Sequence, residues 1–302
     1  MSAHGSAHRS HCQDCGTPLT GPYCFVCGQH DVDYHRSLGH VVEDGLESFL
    51  HVDGKFFQSM RYLFTRPGFL TKEFVDGRRT RYSNPIRFYI FASFLYFAVG
   101  ALVSPPAAVH QTVSFNDGVP AAPAGATPRS GAGPKAPSVV RGPAVGEWLN
   151  RRIKGAKAAY GDEYPTVLER EITHLLPTML FLCMPLLAVL LKAAYPGSGR
   201  FYIEHLIFSL HTLTLVFLAS VGTYLLRAAL KWTGPGAPDL VGLASFGLVT
   251  WLIYRSFRTV YGQGVGRTLF KLAFVGAAFG IILIVGITTV SVASFYIVSD
   301  GA

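Results

Sequence analysis

Four of the five cysteines stand in two pairs, Cys12–Cys15 and Cys24–Cys27, and each pair is followed by a glycine, Gly16 and Gly28. Two intervening residues let both thiolates of a pair reach one ion, and the glycine admits the positive φ of the tight turn that follows. Eight residues separate the pairs, enough for a small β-hairpin turning near Gly21-Pro22. Four sulfurs suit a closed tetrahedral structural site with zinc as the cofactor and no open position for catalysis. A redox dithiol or an iron–sulfur cluster would draw on the same residues. His11 and His30 flank the pairs and are read as neighbours rather than ligands. So short a segment cannot fold on apolar burial, so metal binding and folding should be coupled. Cys183 lies alone in an apolar run and reads as a packing residue.

A second set of chemistry-bearing residues is Glu204, His205 and His211, in the stretch Tyr202-Ile-Glu-His-Leu-Ile-Phe-Ser-Leu-His211. Glu204 and His211 are nearly two helical turns apart and share a face; His205 lies about 100° round from Glu204. Ionisable groups in a membrane-spanning helix are costly and usually face the bundle interior. This set could bind a metal, relay a proton or act as an acid–base pair. The plainer reading makes Glu204 an interfacial group bonded to the basic residues Arg78, Arg79 and Arg81, with His211 bonded to a helix neighbour. The sharper one places an anionic headgroup between Glu204-His205 and that basic cluster. No His-Glu-x-x-His spacing and no nucleophile motif accompany these residues. An enzyme is therefore the least supported class, and no catalytic residue is assigned.

The elements that must position these groups follow from composition. Half the residues are hydrophobic and only 15% are charged, below the ~25% usual for soluble domains. The fold class this predicts is an all-α polytopic membrane protein of about five transmembrane helices, with a small N-terminal zinc-ribbon β-hairpin. Residues 1–10 read as disordered and 11–30 as the ribbon. Residues 36–85 read as cytoplasmic amphipathic helices, the first over 38–51. They would lie on the membrane surface or pack on the bundle. The first span is 86–104. Residues 105–145, with eight of the 18 prolines, read as a disordered Pro/Ala-rich linker. The rest, 146–302, is helical, with spans at 174–194 (containing Pro177 and Pro185), 203–226, 238–254 (the weakest) and 272–298.

Basic residues concentrate in 55–87 and in the loop holding Arg255, Arg258, Arg267 and Lys271. The positive-inside tendency puts both on the cytoplasmic side, with the N-terminus inside and the C-terminus outside. A net charge of +8 is explained by that asymmetry and by attraction to anionic lipid; nucleic acid is not expected as a partner.

In their order along the chain these motifs resemble the DUF3667 family of bacterial membrane proteins of unknown function. The resemblance runs through Cys12–Cys27 with Gly28-Gln29, then Asp53, Arg66-Pro67-Gly68, Gly77-Arg78-Arg79-x-Arg81-Tyr82 and Asn84-Pro85. It resumes at Met184-Pro185-Leu186 and at Tyr202-x-Glu204-His205-Leu-x-Phe208-Ser-Leu-His211. It implies a bacterial cytoplasmic-membrane protein and carries no activity. The expectation is a membrane-anchored binding or regulatory module. Its partners would be lipids, including anionic headgroups, a cytosolic protein held through the ribbon, and a second copy of the chain. The alternatives are a transporter or lipid-handling protein using Glu204 and His211, and, last, an intramembrane enzyme.

Overall fold

The structure, a computed structural model, describes residues 9–31, 54–103, 144–230 and 237–300. The helix expected over 38–51 and most of the 105–145 linker lie outside the described residues. The described helices are α1 (Gly54–Thr65), α2 (Phe69–Val75), α3 (Pro85–Val103), α4 (Ala144–Tyr160), α5 (Tyr164–Ala194), α6 (Tyr202–Ala229), α7 (Ala237–Tyr261) and α8 (Val265–Asp300). Five of them, α3 and α5–α8, are long and apolar enough to cross a membrane. The expected weak fourth span is a helix of 25 residues.

Among the described residues there is no sheet, and the hairpin expected between the cysteine pairs is not present as paired strands. Two isolated bridges take its place, His11 with Pro18 and Tyr23 with His30. Each closes its own knuckle instead of joining the two.

Two compact units divide the chain, Met1–Ser104 with Leu176–Thr289 and Pro105–Leu175 with Val290–Ala302. In the first, α6 is the axis: 61% of its apolar stretch is buried, against 28% or less for the other four candidate spans. It packs along α3 and α7. Its buried hydroxyls bond back to their own helix, Ser209 to the His205 carbonyl and Thr214 to that of Leu210, so neither hydroxyl is stranded. The short helices α1 and α2 pack on this bundle. Phe56, Leu63, Leu70 and Phe74 join Phe88, Ile207, Leu210 and Leu215 in one apolar cluster.

Helix α5 is continuous through Pro177 and Pro185. A proline has no N–H for the ladder. Near the second one, Tyr89 donates its hydroxyl to the Leu180 carbonyl at 3.2 Å, and Tyr202 donates to that of Pro185 at 3.2 Å. In the second unit Arg152 donates to Ser299 Oγ at 2.8 Å and lies over the rings of Trp148 and Tyr296.

Candidate metal centre and polar clusters

The two knuckles are the same structure repeated twelve residues on. Cys12 N–H donates to the Thr17 carbonyl at 2.8 Å, and Cys24 N–H to that of Gln29 at 2.9 Å. Gly16 N–H returns to Cys12 and Gly28 N–H to Cys24, and both glycines have positive φ, 75° and 74°. The turns aim all four sulfurs at one point: the ligand atoms lie within 4.8 Å of one another. Cys12 and Cys27 Sγ are 3.5 Å apart, as are Cys15 and Cys24 Sγ. A tetrahedral ion with bonds of ~2.3 Å asks for sulfurs ~3.8 Å apart, so the four thiols fit a metal ion with little movement. His11 bonds Ser10 and His30 stacks on Tyr23; neither is in the four-thiol group. In the free thiols, the Thr17 hydroxyl beside Cys15 holds its pKa down to about 6, while burial pushes Cys27 up to about 12.

The head is docked, and the residues that dock it lie inside the metal loops. Asp14, between the first two cysteines, meets Arg81 twice: Nε stands 3.1 Å from Oδ1, and Nη2 donates to the Asp14 carbonyl at 3.0 Å. The Thr80 hydroxyl also donates to Asp14. Gln29, just after the second knuckle, donates to the Gly77 carbonyl at 2.8 Å and accepts the Arg79 amide at 3.5 Å. Arg78 turns the other way. It forks onto Glu73 at 2.6 and 2.7 Å and reaches Asp76 at 3.0 Å, which lowers the Glu73 pKa. Arg79 donates to the Phe74 carbonyl and lies over its ring. Residues 77–81 thus hold the head through the Thr80 and Arg81 side chains and the Gly77 and Arg79 backbone.

Glu204 lies elsewhere, with Arg200. One carboxylate oxygen accepts Arg200 Nη1 at 2.8 Å and the other accepts the Phe201 amide at 3.1 Å. Glu204 therefore also caps the start of α6, as a Glu at that position of a capping box does. Arg200 in turn donates to the Val260 carbonyl at 2.6 Å, pinning the α5–α6 loop to the end of α7. The expected cations of residues 78 and 81 go to Glu73, Asp76 and Asp14 instead. Arg200 escaped the sequence reading, although its i, i+4 spacing to Glu204 is an ion-pair signal. Removing the charge with Glu204→Gln should cost about 2 kcal/mol, since a partly buried guanidinium loses its counter-ion. Thermal unfolding in detergent measures it, and an unchanged midpoint would mean the pair is only a surface contact.

His205 is fully buried. Its Nδ1 is 2.9 Å from the Tyr261 hydroxyl, and Tyr261 stacks on Tyr195 at 3.9 Å. Lys271 Nζ sits 3.7 Å above the Tyr195 ring. His211 is bound to a different element: its Nδ1 is 3.0 Å from Thr71 Oγ1 on α2. Arg66, Gly68, Thr71, His211 and Ser256 line a pocket there with room for little more than one water-sized guest. Sequence reasoning could not find the His211 partner because Thr71 is 140 residues away.

The six residues singled out as a polar site thus occupy three places: the dock for the head, the Arg200–Glu204 corner with its buried His205, and the contact between α2 and α6. The described residues form a helical architecture with five helices long and apolar enough to cross a membrane and a four-thiol head that could hold a metal ion. Residues 53–97 match the family model described as protein of unknown function (DUF3667), the family whose pattern the motifs resemble. The matched segment runs from α1 through most of α3 and includes the whole dock for the head. No curated protein and no solved structure matches the chain.

Proposed function

We propose that the protein is a membrane-embedded binding or regulatory module whose head carries one structural zinc ion and recruits a protein partner. In this reading the four thiolates of Cys12, Cys15, Cys24 and Cys27 fill the ion's coordination, so the metal holds shape and does no chemistry. The observation that carries the reading is the division of the head into two faces. Asp14 and Gln29 hold one face to Gly77–Arg81, while Tyr23, Phe25 and Val26, on the second knuckle, stand 60%, 72% and 61% exposed. Three exposed large apolar side chains on one knuckle of a small anchored head fit a protein contact. The head and the loop between α7 and α8 then lie on the cytoplasmic side of a bacterial inner membrane, where thiolates stay reduced. Lipids, including anionic ones, surround the spans.

The transporter or lipid-handling alternative gains little support. Glu204 is held by Arg200 and the Phe201 amide, His211 by Thr71, and the space beside His211 admits only a water-sized guest.

Phe25→Ser with Val26→Ser tests the recruiting face without touching a ligand. Zinc content by elemental analysis should stay at one ion per chain, and proteins cross-linked to the head in cells should be lost. A cross-linked set identical to the wild type's would overturn the reading.

A further inference from the structure

Arg87 sits in the first turn of α3 and is only 6% exposed. Among the described residues it has no carboxylate partner and no hydrogen bond, and its Nη2 is buried without an acceptor. A buried guanidinium left uncompensated is among the most expensive groups a protein can hold. Here the position adds to the cost. Asn84 caps α3, its Oδ1 accepting the Ile86 amide at 3.0 Å, and Pro85 occupies the first helical position. Arg87 therefore stands at the positive end of a 19-residue helix with no acidic residue in its first turn. One turn earlier, Ser83 is 8% exposed. Its amide is satisfied by Ser59 Oγ at 2.9 Å, but its own hydroxyl is buried without a partner. Two buried groups that can donate to an anion, each without a partner, thus belong to the segment that starts α3. The neighbouring arginines offer no explanation, since Arg78 and Arg81 are engaged by Glu73, Asp76 and Asp14.

We propose that Ser83, Arg87 and the start of α3 form a binding site for a phosphate-bearing anion. A phosphate oxygen would accept from the guanidinium, for which a planar fork is the best donor. It would also accept from the Ser83 hydroxyl and offset the helix dipole, so one ligand removes all three penalties. The site is at the first turn of a candidate span, the level at which a lipid headgroup lies. The chemistry is shared by a lipid phosphate and by free phosphate. The proposal does not depend on the head recruiting a partner.

The test uses the full-length chain, delipidated in a neutral detergent, with thermal unfolding followed during titration with phosphatidylglycerol, phosphatidylcholine or inorganic phosphate. The wild-type midpoint should rise with phosphatidylglycerol and not with phosphatidylcholine if the ligand is an anionic lipid, and with inorganic phosphate if it is the free ion. Arg87→Gln should weaken the response at least about tenfold, the scale of one charge-assisted hydrogen bond. Ser83→Ala should weaken it a few-fold. Arg87→Leu removes the buried charge, so it should fold at least as well as the unliganded wild type and ignore every additive. A wild type that responds to neither phosphatidylglycerol nor phosphate overturns the proposal. So does an Arg87→Leu chain that responds as the wild type does.

Discussion

Stripping the metal, by chelation or by Cys24→Ser, is expected to release the head from the bundle while the helices stay folded. Apparent binding energies of structural zinc in small domains are roughly 10–16 kcal/mol. Nothing else in the described residues 9–31 supplies a comparable term, since the exposed Tyr23, Phe25 and Val26 bury little. Loss of the ion therefore removes the turns that place Asp14 between Cys12 and Cys15 and Gln29 beyond Gly28. With those turns go the contacts to Gly77, Thr80 and Arg81. The apolar cluster of α1, α2, α3 and α6 contains no residue of the head, so the bundle does not depend on it. Hydrogen exchange followed by mass spectrometry reads both halves. Amides of 9–31 and 77–81 should lose protection on chelation, while those of 85–103 and 202–229 keep theirs. Equal protection of 9–31 with and without metal would show that the thiols are not the organising element.

The contrast between what was legible and what was not follows the range of each signal. The knuckles were legible because Cys-x-x-Cys-Gly is a local instruction: two sulfurs, one turn and one positive φ specify the geometry, and the structure repeats it at Cys12 and Cys24. The five long apolar helices were legible because length and composition alone define them. The hairpin was not, because nothing between Gly16 and Cys24 forces pairing when each knuckle can close on itself. The destinations of Arg81, Glu204 and His211 were not legible either. Charge complementarity allowed Arg78–Arg81 to meet Glu204, and only packing decided that Asp14 takes Arg81 while Arg200 takes Glu204. His211 is buried in α6. Its partner came from α2, a short helix whose docking against α6 leaves no mark in the 69–75 segment beyond Leu70, Thr71 and Phe74 facing one way.

That docking is the basis of the second large effect, expected at Gly68. The Arg66-Pro67-Gly68 turn joins α1 to α2, with Gly68 at φ 82°. A side chain there is strained on conformational grounds alone by ~1–2 kcal/mol. The surroundings add to this. A Cβ at Gly68 would lie 2.8 Å from the Ser256 carbonyl oxygen and 2.9 Å from Thr259 Cβ, both on α7. The oxygen is backbone in a long helix and cannot swing aside. Gly68→Ala must therefore push the turn away from α7, and the cost spreads to everything the turn seats. Leu70 leaves the apolar cluster, and Thr71 withdraws from His211, which is then buried without its hydroxyl partner. Together these put the loss above about 3 kcal/mol. Gly100→Ala is the matched control, because Gly100 lies in α3 at an ordinary φ with nothing within 4 Å of the added carbon. It should be neutral or slightly stabilising. Thr71→Val, which keeps the shape and removes the hydroxyl, isolates the hydrogen-bond part at about 1–2 kcal/mol. Thermal unfolding in detergent should therefore rank the chains with Gly100→Ala level with the wild type, Thr71→Val below it and Gly68→Ala lowest. A Gly68→Ala midpoint no lower than that of Thr71→Val would mean that the turn is not seated against α7 in the folded protein.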